Sequence, residues 1–575
     1  MSAGPPQPAP GSYTETGGVP RPENAIDIYI AYSLGSNAYL PEIIRRFNQS
    51  YADGVNPING QKLSADERPI YVWGTPPITG SSGTQAQGIV NAIVAPDNVN
   101  VYRPTIYQPS VSHWLSWVNY NAGRQIFDLS NIQGTALTPV VIAIWEDRLN
   151  QLIELTGKTR QELGWVDILP VLQNGWPEGR RAVYYGHTDP RASSTGLSTT
   201  IAEFYACARQ AGFTGRRLTV EAVNDPETQS CMRDIQSLVR HYSTRTEDFL
   251  EYVGQGPEYV DMIGMEETRL LCVNTGRTLE NEQCLKPQGG HLVALYPAEG
   301  TFWHENPFGI VNADWVTPEQ AKAASVFTDF VRSMPSQAYI TEFGYRPTRS
   351  DVPLGPLFIK ENGILLEGPA TTLDIPDIAA INAIQQSWSL VKKQADVMLM
   401  IDISGSMLDE GKLDQAKQAA QVFLDKMELT NRVGLTVFND QVQVLVPMDT
   451  LETNGSAIRS RIANLRADGG TALYTALKDT VERLNQQTEA DRIRGVVLLS
   501  DGADTASEGV SLNDVINAIQ ASRDTLNPVI VVPVAYGSNA DVTTLNTIAR
   551  ASNTRIQSGN PSSIQRVLQL LGSYF

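Results

Sequence analysis

Five oxygen-bearing side chains in the C-terminal third of the chain could bind a metal ion. Asp402, Ser404 and Ser406 alternate in the run DISGS, Thr471 lies in DGGT, and Asp501 follows the apolar run VVLLS. Residues two apart in an extended turn place their side chains on one side. Carboxylate and hydroxyl oxygens are hard ligands that suit Mg2+, Mn2+ or Ca2+ better than Zn2+. They therefore predict a divalent-ion site, with Mg2+ as the first choice.

Alternating strands and helices from residue 394 onward would position these side chains. Apolar runs predict strands at 397–401, 433–438, 442–447, 496–500 and 528–536, and helices are predicted at 412–427, 470–486, 512–522, 542–551 and 562–571. This alternation predicts a doubly wound α/β domain, in which ligands bind at the carboxyl ends of the strands. The alternative for DISGS alone is a helix N-cap. Thr471 and Asp501 at the same sheet edge favour the metal site.

The same three runs carry a family resemblance. DISGSM, DGGTALYTAL and VVLLSDGADT resemble the metal-ion-dependent adhesion site of von Willebrand factor A domains, over about residues 394–575. The resemblance implies that Ser404 and Ser406 bind the ion directly, and that Asp402 and Asp501 act largely through waters. It also implies that Thr471 alternates between direct and water-bridged contact. The remaining coordination position is then left for a carboxylate of a protein partner.

Loops rich in Ser and Gly in the first half of the chain could bind a small solute. Strand-like runs lead into such loops near residues 33–36 and 80–84, and a third loop follows at 189–200. Hydroxyls and helix-start amides suit a polar or anionic ligand, although each loop alone is more often a cap or a turn. The candidate ligand-binding residues are Ser33, Ser36, Ser81, Ser82, Thr84, Ser193 and Ser194, with Arg191 as a counter-ion.

The order of elements in residues 26–365 resembles the type 2 class of periplasmic solute-binding proteins. TPVVIAIW (138–145) and HLVALYPAEGTFW (291–303) are similar to that family's two crossing strands, and YITEFGYRPTRSDV (339–352) to its C-terminal portion. The resemblance implies two α/β lobes, the second inserted at about 146–290, a segment that we interpret as rich in turns. Residues 1–25 are interpreted as a flexible tether and 366–393 as a linker.

Four cysteines, Cys207, Cys231, Cys272 and Cys284, lie in the second predicted lobe without metal-type spacing. Pairing Cys207 with Cys231 and Cys272 with Cys284 is the simplest of three arrangements, and four free thiols are the alternative. Two disulfides would indicate an extracytoplasmic protein, that is, one in the periplasm, at the cell surface or secreted. The polar, Pro-rich start of the chain lacks a signal-peptide core, so any anchor is expected upstream.

Charge and missing motifs exclude several functions. The net charge of −18 disfavours nucleic acid, and no apolar run is long enough to span a bilayer. The five histidines are scattered, and neither a phosphate-binding loop nor a nucleophile elbow is present. We therefore expect a non-enzymatic binding protein for adhesion or assembly, whose metal site binds a protein partner. The alternative is a solute receptor of a transport or sensing system, with the C-terminal domain as a docking module.

Overall fold

The computed structural model describes the chain in segments: residues 18–75, 81–96, 101–176, 183–239, 242–243, 245–253, 256–257, 260–279, 282–284, 286–287, 290–486, 492–501, 503–523, 528–536, 540–552, 554 and 556–559. Several features predicted above fall partly or wholly outside these segments. They include residues 1–17 of the tether, Gly80 of the second Ser/Gly loop, Gly502 of the run VVLLSDGADT, parts of the second lobe and the helix at 562–571. Residues 18–25 of the expected tether are described, and the carbonyl of the buried Val19 accepts a hydrogen bond from the Tyr71 hydroxyl at 2.8 Å.

The first lobe is an α/β layer built from two separate parts of the chain. Its first part contains β1 (Ile26–Tyr32), α1 (Leu40–Ala52), β2 (Ile70–Thr75), α2 (Ser82–Val94), β3 (Ile106–Gln108), α3 (His113–Asn121) and β4 (Gln133–Gly134). In α1, Ile43 and Phe47 recur at helical spacing, and both are completely buried against the sheet. The amphipathic pattern therefore fixes which face of this helix meets the core.

The chain then crosses into a second lobe and back. The second lobe contains β5 (Thr138–Trp145), α4 (Glu146–Thr156), α5 (Trp165–Asn174), β6 (Tyr185–Gly186), α6 (Ser194–Gln210), α7 (Val220–Asn224), α8 (Pro226–Ser237), α9 (Thr246–Val253), β7 (Met262–Glu266), α10 (Glu267–Thr275), β8 (Thr278–Leu279), β9 (Glu282–Gln283) and β10 (Leu292–Leu295). The first lobe resumes with β11 (Trp303–His304), β12 (Pro307–Ile310), α11 (Pro318–Val331) and α12 (Met334–Thr341). The first lobe is thus discontinuous in sequence.

Sheet topology confirms the bilobal α/β class. The first sheet has the order β2-β1-β3-β12-β4, in which β1 is parallel to β2 and β3 while β12 is antiparallel to its neighbours. The second sheet has the order β10-β5-β7-β6, with the short β11 also pairing with the start of β5. The long strand β5 therefore pairs with two strands from later in the chain, β10 and β11.

The second lobe corrects one sequence interpretation. The segment 146–290 is largely helical, carrying seven of the helices given above, and is not mainly turns. The reason is visible in α6, whose Ser, Thr and Gly residues are weak helix formers. Most of its residues are nonetheless buried, so tertiary packing overrides local propensity. Both predicted disulfides are confirmed, Cys207 pairing with Cys231 and Cys272 with Cys284.

The expected linker ends in a packed helix. Helix α13 (Ile378–Val391) buries Ile381, Ile384 and Trp388 completely, and it contacts α3, α6, α7 and α8. The strand that opens the C-terminal unit follows only two residues later. The last part of the linker therefore packs its hydrophobic side chains against both lobes, through α3 of the first lobe and α6, α7 and α8 of the second.

The C-terminal unit is a doubly wound domain, as predicted. Its elements are β13 (Gln394–Asp402), α14 (Lys412–Lys426), β14 (Arg432–Phe438), β15 (Val442–Thr450), α15 (Leu451–Ala463), α16 (Leu473–Asn485), β16 (Arg492–Ser500), α17 (Leu512–Arg523), β17 (Val529–Tyr536), α18 (Val542–Ala551) and β18 (Gln557–Gly559). The sheet order is β15-β14-β13-β16-β17-β18, parallel except for β15. Both faces of β13 are buried, which explains its continuous apolar run. Within the described segments, no helix could cross a membrane.

Candidate functional site

The two carboxylates predicted to hold a metal lie side by side at one edge of the C-terminal sheet. Asp402 is the last residue of β13, and Asp501 directly follows β16. These strands are parallel neighbours, with Ile401 opposite Leu499. The carboxyl ends of adjacent parallel strands meet at the same sheet edge, where ligands bind in this class of fold.

Two serines connect these carboxylates. The Ser404 amide donates to Asp402 Oδ1 at 2.8 Å, the Ser404 and Ser406 hydroxyl oxygens lie 3.1 Å apart, and the Ser406 hydroxyl donates to Asp501 Oδ1 at 2.8 Å. The other oxygen of Asp402 accepts from the Ser500 hydroxyl at 2.7 Å. Four of the five residues predicted from the sequence are therefore joined in one hydrogen-bonded chain.

Thr471 lies in a neighbouring loop that is hydrogen-bonded to the same edge of the sheet. The Gly405 amide donates to the Gly469 carbonyl at 2.9 Å, and the Asp468 amide to the Ile403 carbonyl at 2.8 Å. The Thr471 carbonyl accepts from the amide of Thr505, in the loop that follows Asp501, at 2.8 Å. Thr471 is 5% exposed, and its hydroxyl has no hydrogen bond within the described part of the chain. It therefore keeps a hydroxyl oxygen available as a ligand.

Burial and a neighbouring like charge disfavour the ionised form of Asp402. Burial raises the pKa of Asp402 to about 6, and the negative charge of Asp501 adds to that rise, whereas hydrogen bonds from Ser404 and Ser500 oppose it. Two carboxylates and three hydroxyls form a donor set that fits a hard divalent cation. Among the described residues, no three His, Cys, Asp or Glu side chains converge as metal ligands. An ion at this edge therefore needs the hydroxyls.

Sequence reasoning missed one charged residue at this site. The Nζ atom of Lys412 lies 2.7 Å from Asp501 Oδ2, and both side chains are almost completely buried. Lys412 is the first residue of α14, directly after Gly411. In the sequence it is indistinguishable from a solvent-exposed lysine at the start of an amphipathic helix. Its burial depends on the three-dimensional path of the 3-10 turn Gly405–Gly411.

Residues 396–569 match the von Willebrand factor type A domain family. They form a von Willebrand factor type A (vWA) domain. The match covers the sheet, the DISGS loop and the positions of Thr471 and Asp501. It confirms the family resemblance for this part of the chain, whereas the metal itself remains a prediction.

Known relatives overlap the chain only in part. The chain is 25% identical to calcium-activated chloride channel regulator 1 of Bos taurus over 319 residues. This alignment covers 51% of this chain and 31% of that relative. The chain is 33% identical to an uncharacterized protein of Synechocystis sp. over 107 residues, which are 19% of this chain and 25% of that relative. The chain thus spans less than a third of the length of these relatives. A solved periplasmic thiamin binding protein aligns with 13% identity and a TM-score of 0.40, over 65% of this chain and 98% of that chain.

A second candidate site lies between the two lobes and is lined by residues outside the vWA domain. A cavity of about 40 Å3 is bounded by all three loops that the sequence singled out. Of the predicted residues, Ser33, Ser81, Ser82, Ser193 and Ser194 line it. Arg245, Glu247, Glu266 and Arg269 add two positive and two negative charges, which sequence reasoning did not identify. The small volume and the balanced charges suit a compact polar ligand.

Three of the predicted solute-binding residues do not line this cavity. The Arg191 guanidinium, predicted as a counter-ion in the cleft, pairs instead with Glu428 of the vWA domain at 2.6 Å. The Ser36 hydroxyl is buried below the cavity, 3.0 Å from the Tyr39 hydroxyl. Thr84 is exposed on the outer side of α2. The cations at the cavity are instead Arg245 and Arg269, both from the second lobe.

Proposed function

We propose that this chain is an extracytoplasmic, non-enzymatic binding protein whose vWA domain binds a divalent metal ion and, through it, an acidic group of a protein partner. Mg2+ is the expected ion, and Mn2+ or Ca2+ would suit the same oxygen donors. Adhesion or assembly is the expected role, because such a site contributes a contact and no reacting group.

The observation that carries this proposal is the hydrogen-bonded set at the vWA sheet edge. Asp402, Ser404, Ser406 and Asp501 supply oxygen ligands from two adjacent strand ends, and the free Thr471 hydroxyl lies in the loop fastened beside them. Such a site at a surface edge leaves room for a ligand from outside the chain. A partner carboxylate is the natural occupant, since it is a hard, anionic oxygen donor.

The two disulfides support the extracytoplasmic location. Cys207–Cys231 and Cys272–Cys284 would be reduced in an ordinary cytosol and persist in oxidising compartments. No free cysteine is found, which agrees with a chain that folds under oxidising conditions. Peptide mapping of protein from its native host, without reduction, tests this location, and four alkylatable thiols would contradict it.

The experiment for the metal-dependent role compares two threonines of the vWA domain. Thr471 and Thr480 are equally buried, but the Thr480 hydroxyl donates within α16 to the Ala476 carbonyl and lies away from the site. Loss of free Mn2+ signal in electron paramagnetic resonance would measure ion uptake by the full chain. Partner capture from the envelope fraction would be compared in Mg2+ and in chelator.

We expect Thr471→Ala to weaken ion uptake and ion-dependent partner capture, while Thr480→Ala leaves both unchanged. Thr471→Ala should also preserve the melting temperature in chelator, because its hydroxyl makes no hydrogen bond in the described chain. Partner capture that survives both chelator and Thr471→Ala would contradict the metal-dependent role.

The cavity between the lobes favours a second candidate function, capture of a small polar solute. In that alternative the chain is the solute-binding receptor of a transport or sensing system, and the vWA domain is its docking module. Thermal-shift measurements on the full chain with oxyanions, sugars and short peptides would test it, with Ser194→Ala as the variant. Ser194 is chosen because its hydroxyl lies in the cavity wall and accepts from the Trp114 indole at 3.0 Å across the lobes. A ligand-induced rise in melting temperature that persists in chelator would favour this candidate.

A further inference from the structure

A buried lysine lies against the carboxylates of the candidate metal site. Lys412 is 2% exposed, and its Nζ atom lies 2.7 Å from Asp501 Oδ2. The other oxygen of Asp501 accepts from the Ser406 hydroxyl at 2.8 Å. Within the described part of the chain, Asp501 is the one hydrogen-bonding and ion-pairing partner of the Lys412 ammonium. Lysine is rarely buried unless it is paired, so the contact with Asp501 is what allows Lys412 to be buried at this edge.

The path of the local backbone places Lys412 at the sheet edge. The 3-10 turn Gly405–Gly411 carries the chain from the DISGS loop to α14, and Gly411 ends it with a φ of +68°, a left-handed conformation that favours glycine. Lys412 follows as the first residue of α14, with the buried Leu413 next to it. The turn thus returns the chain to the sheet edge and brings the lysine beside Asp501.

The charges explain what the lysine does in the absence of an ion. Asp402 and Asp501 are 0% and 2% exposed, and two buried like charges next to each other are costly. One ammonium in contact with Asp501 offsets half of that negative charge and supplies a hydrogen-bond donor. A divalent ion at the same oxygens would offset the charge more fully, but it would also be repelled by the ammonium.

We propose that Lys412 is the resident counter-cation of the vWA metal site. It holds the site folded without a divalent ion, and its charge weakens binding of that ion, so that the ion binds reversibly rather than as a structural component. This inference rests on the proposed metal-binding function and names the residue that sets the affinity of that site. A lysine with a purely structural role would stabilise the fold and leave the ion affinity unchanged.

The test uses the full chain stripped of metal by a chelator. Lys412→Met removes the charge and keeps the length of the side chain, whereas Lys412→Arg keeps the charge. Lys417→Met is the matched control, because Lys417 lies in the same helix and pairs with Asp414 at 3.4 Å, away from the site. Calorimetric titration with MgCl2 and MnCl2 gives the affinities, and the melting temperature in chelator gives the stability of the ion-free fold.

We expect Lys412→Met to act in two opposite directions. The melting temperature in chelator should fall, because Asp501 loses its partner, while Mg2+ and Mn2+ should bind at least about tenfold more tightly, because a nearby positive charge is gone. Lys412→Arg and Lys417→Met should bind the ions like the wild type. Ion binding that is unchanged or weaker in Lys412→Met would overturn the inference.

Other outcomes separate this inference from the proposed function. If the wild type binds neither ion but Lys412→Met does, the lysine inference stands and the metal-dependent function of the wild type fails. If neither protein binds an ion, both fail. Should Lys412→Met not fold in chelator, Lys412→Gln replaces it. Refolding of either variant on adding Mg2+ supports the inference, and failure of both to recover with Mg2+ overturns it.

Discussion

The interlobe cavity and the vWA sheet edge are both built from serine-rich loops, yet they are suited to different ligands. In the cavity, Arg245 and Arg269 balance Glu247 and Glu266. At the sheet edge, two carboxylates face a single ammonium, which leaves an excess of negative charge. Hydroxyl groups provide polarity at both places. The local charge balance decides whether a neutral polar solute or a cation is favoured.

The two places also differ in how the chain assembles them. The cavity draws on residues from Ser33 to Tyr345 and depends on two lobes meeting. The vWA sheet edge uses three loops of one domain, between Asp402 and Asp501. A site within one domain can keep its geometry when other domains move, whereas the cavity changes with every movement between the lobes. We therefore expect the two sites to respond separately to mutation.

The largest expected effect comes from Asp402→Ala. Metal-stripped wild type should gain thermal stability on adding Mg2+, by about 4.1 kcal/mol when the ion is at about one thousand times its Kd, and the variant should gain none. Asp504→Ala is the matched control, because Asp504 belongs to the same edge but accepts from the Tyr474 amide and the Ser507 hydroxyl. A Mg2+ response that persists in Asp402→Ala would move the ion site elsewhere in the molecule.

Removing the disulfide Cys207–Cys231 should affect the second lobe and spare the vWA domain. The double variant Cys207→Ser/Cys231→Ser should lose about 3 kcal/mol of unfolding free energy, since the bridge closes a loop of 24 residues. Removing Cys272–Cys284, which closes a shorter loop of 12 residues, should cost slightly less. Denaturant unfolding measures both losses, and a changed Mg2+ affinity would show that the two regions are coupled.

A pH dependence should distinguish the cavity from the sheet edge. Glu266 lines the cavity, and although burial opposes its ionisation, the hydrogen bond and charge of His304 with the charge of Arg269 lower its pKa to about 2. The ionised carboxylate therefore stabilises the fold fully above pH 4.5, and this contribution disappears as the pH falls towards 2. Glu266→Gln should cost about 1–3 kcal/mol at pH 7 and roughly half as much at pH 3, where the folded-state carboxylate is still mostly ionised.

Urea unfolding at the two pH values measures this difference. Glu319→Gln is the control, because Glu319 forms an exposed ion pair with Arg68 and should contribute less than about 1 kcal/mol at either pH. If Glu266→Gln lowers the free energy of unfolding equally at both pH values, the charged contact between Glu266 and His304 is not the cause of that loss.

The smallest expected effect concerns the ion pair that joins the second lobe to the vWA domain. Arg191 and Glu428 side chains are 39% and 30% exposed, so a double-mutant cycle with alanine should give a coupling energy of about 0.2–1 kcal/mol that declines with added salt. The packed helix α13 then remains the main attachment. A coupling well above this range would mean that the cavity loop and the vWA domain act as one unit.

Most of the vWA domain could be predicted because its local signals agree with its fold. The apolar run of β13 is buried on both faces, and the acidic residues stand directly at the strand ends. Parallel pairing of β13 with β16 then brings Asp402 and Asp501 together without any long-range information beyond the fold class. Lys412 could not be predicted in the same way, since its position depends on the path of a turn.

The second lobe was harder to predict because its helices depend on burial. Helix α6 begins with Ser194, Thr195 and Gly196, residues that predict a loop when considered alone. Arg191 illustrates a related limit. Its type suggested a counter-ion in the cleft, but the turn around Pro190 directs it towards Glu428 and the Gln385 carbonyl. Ser193 and Ser194, only two and three residues after Arg191, line the cavity, whereas Arg191 itself faces the vWA domain.

The discontinuous first lobe has a consequence for the time course of synthesis. Strand β12, at Pro307–Ile310, lies between β3 and β4, so β3 lacks its second neighbour until roughly 200 further residues have been made. At about 5–20 residues per second, this leaves an open strand edge for roughly 10–40 s. Unpaired edges invite pairing with other chains. A nascent chain stalled before residue 307 should therefore aggregate, whereas one released after residue 341 can close its first sheet.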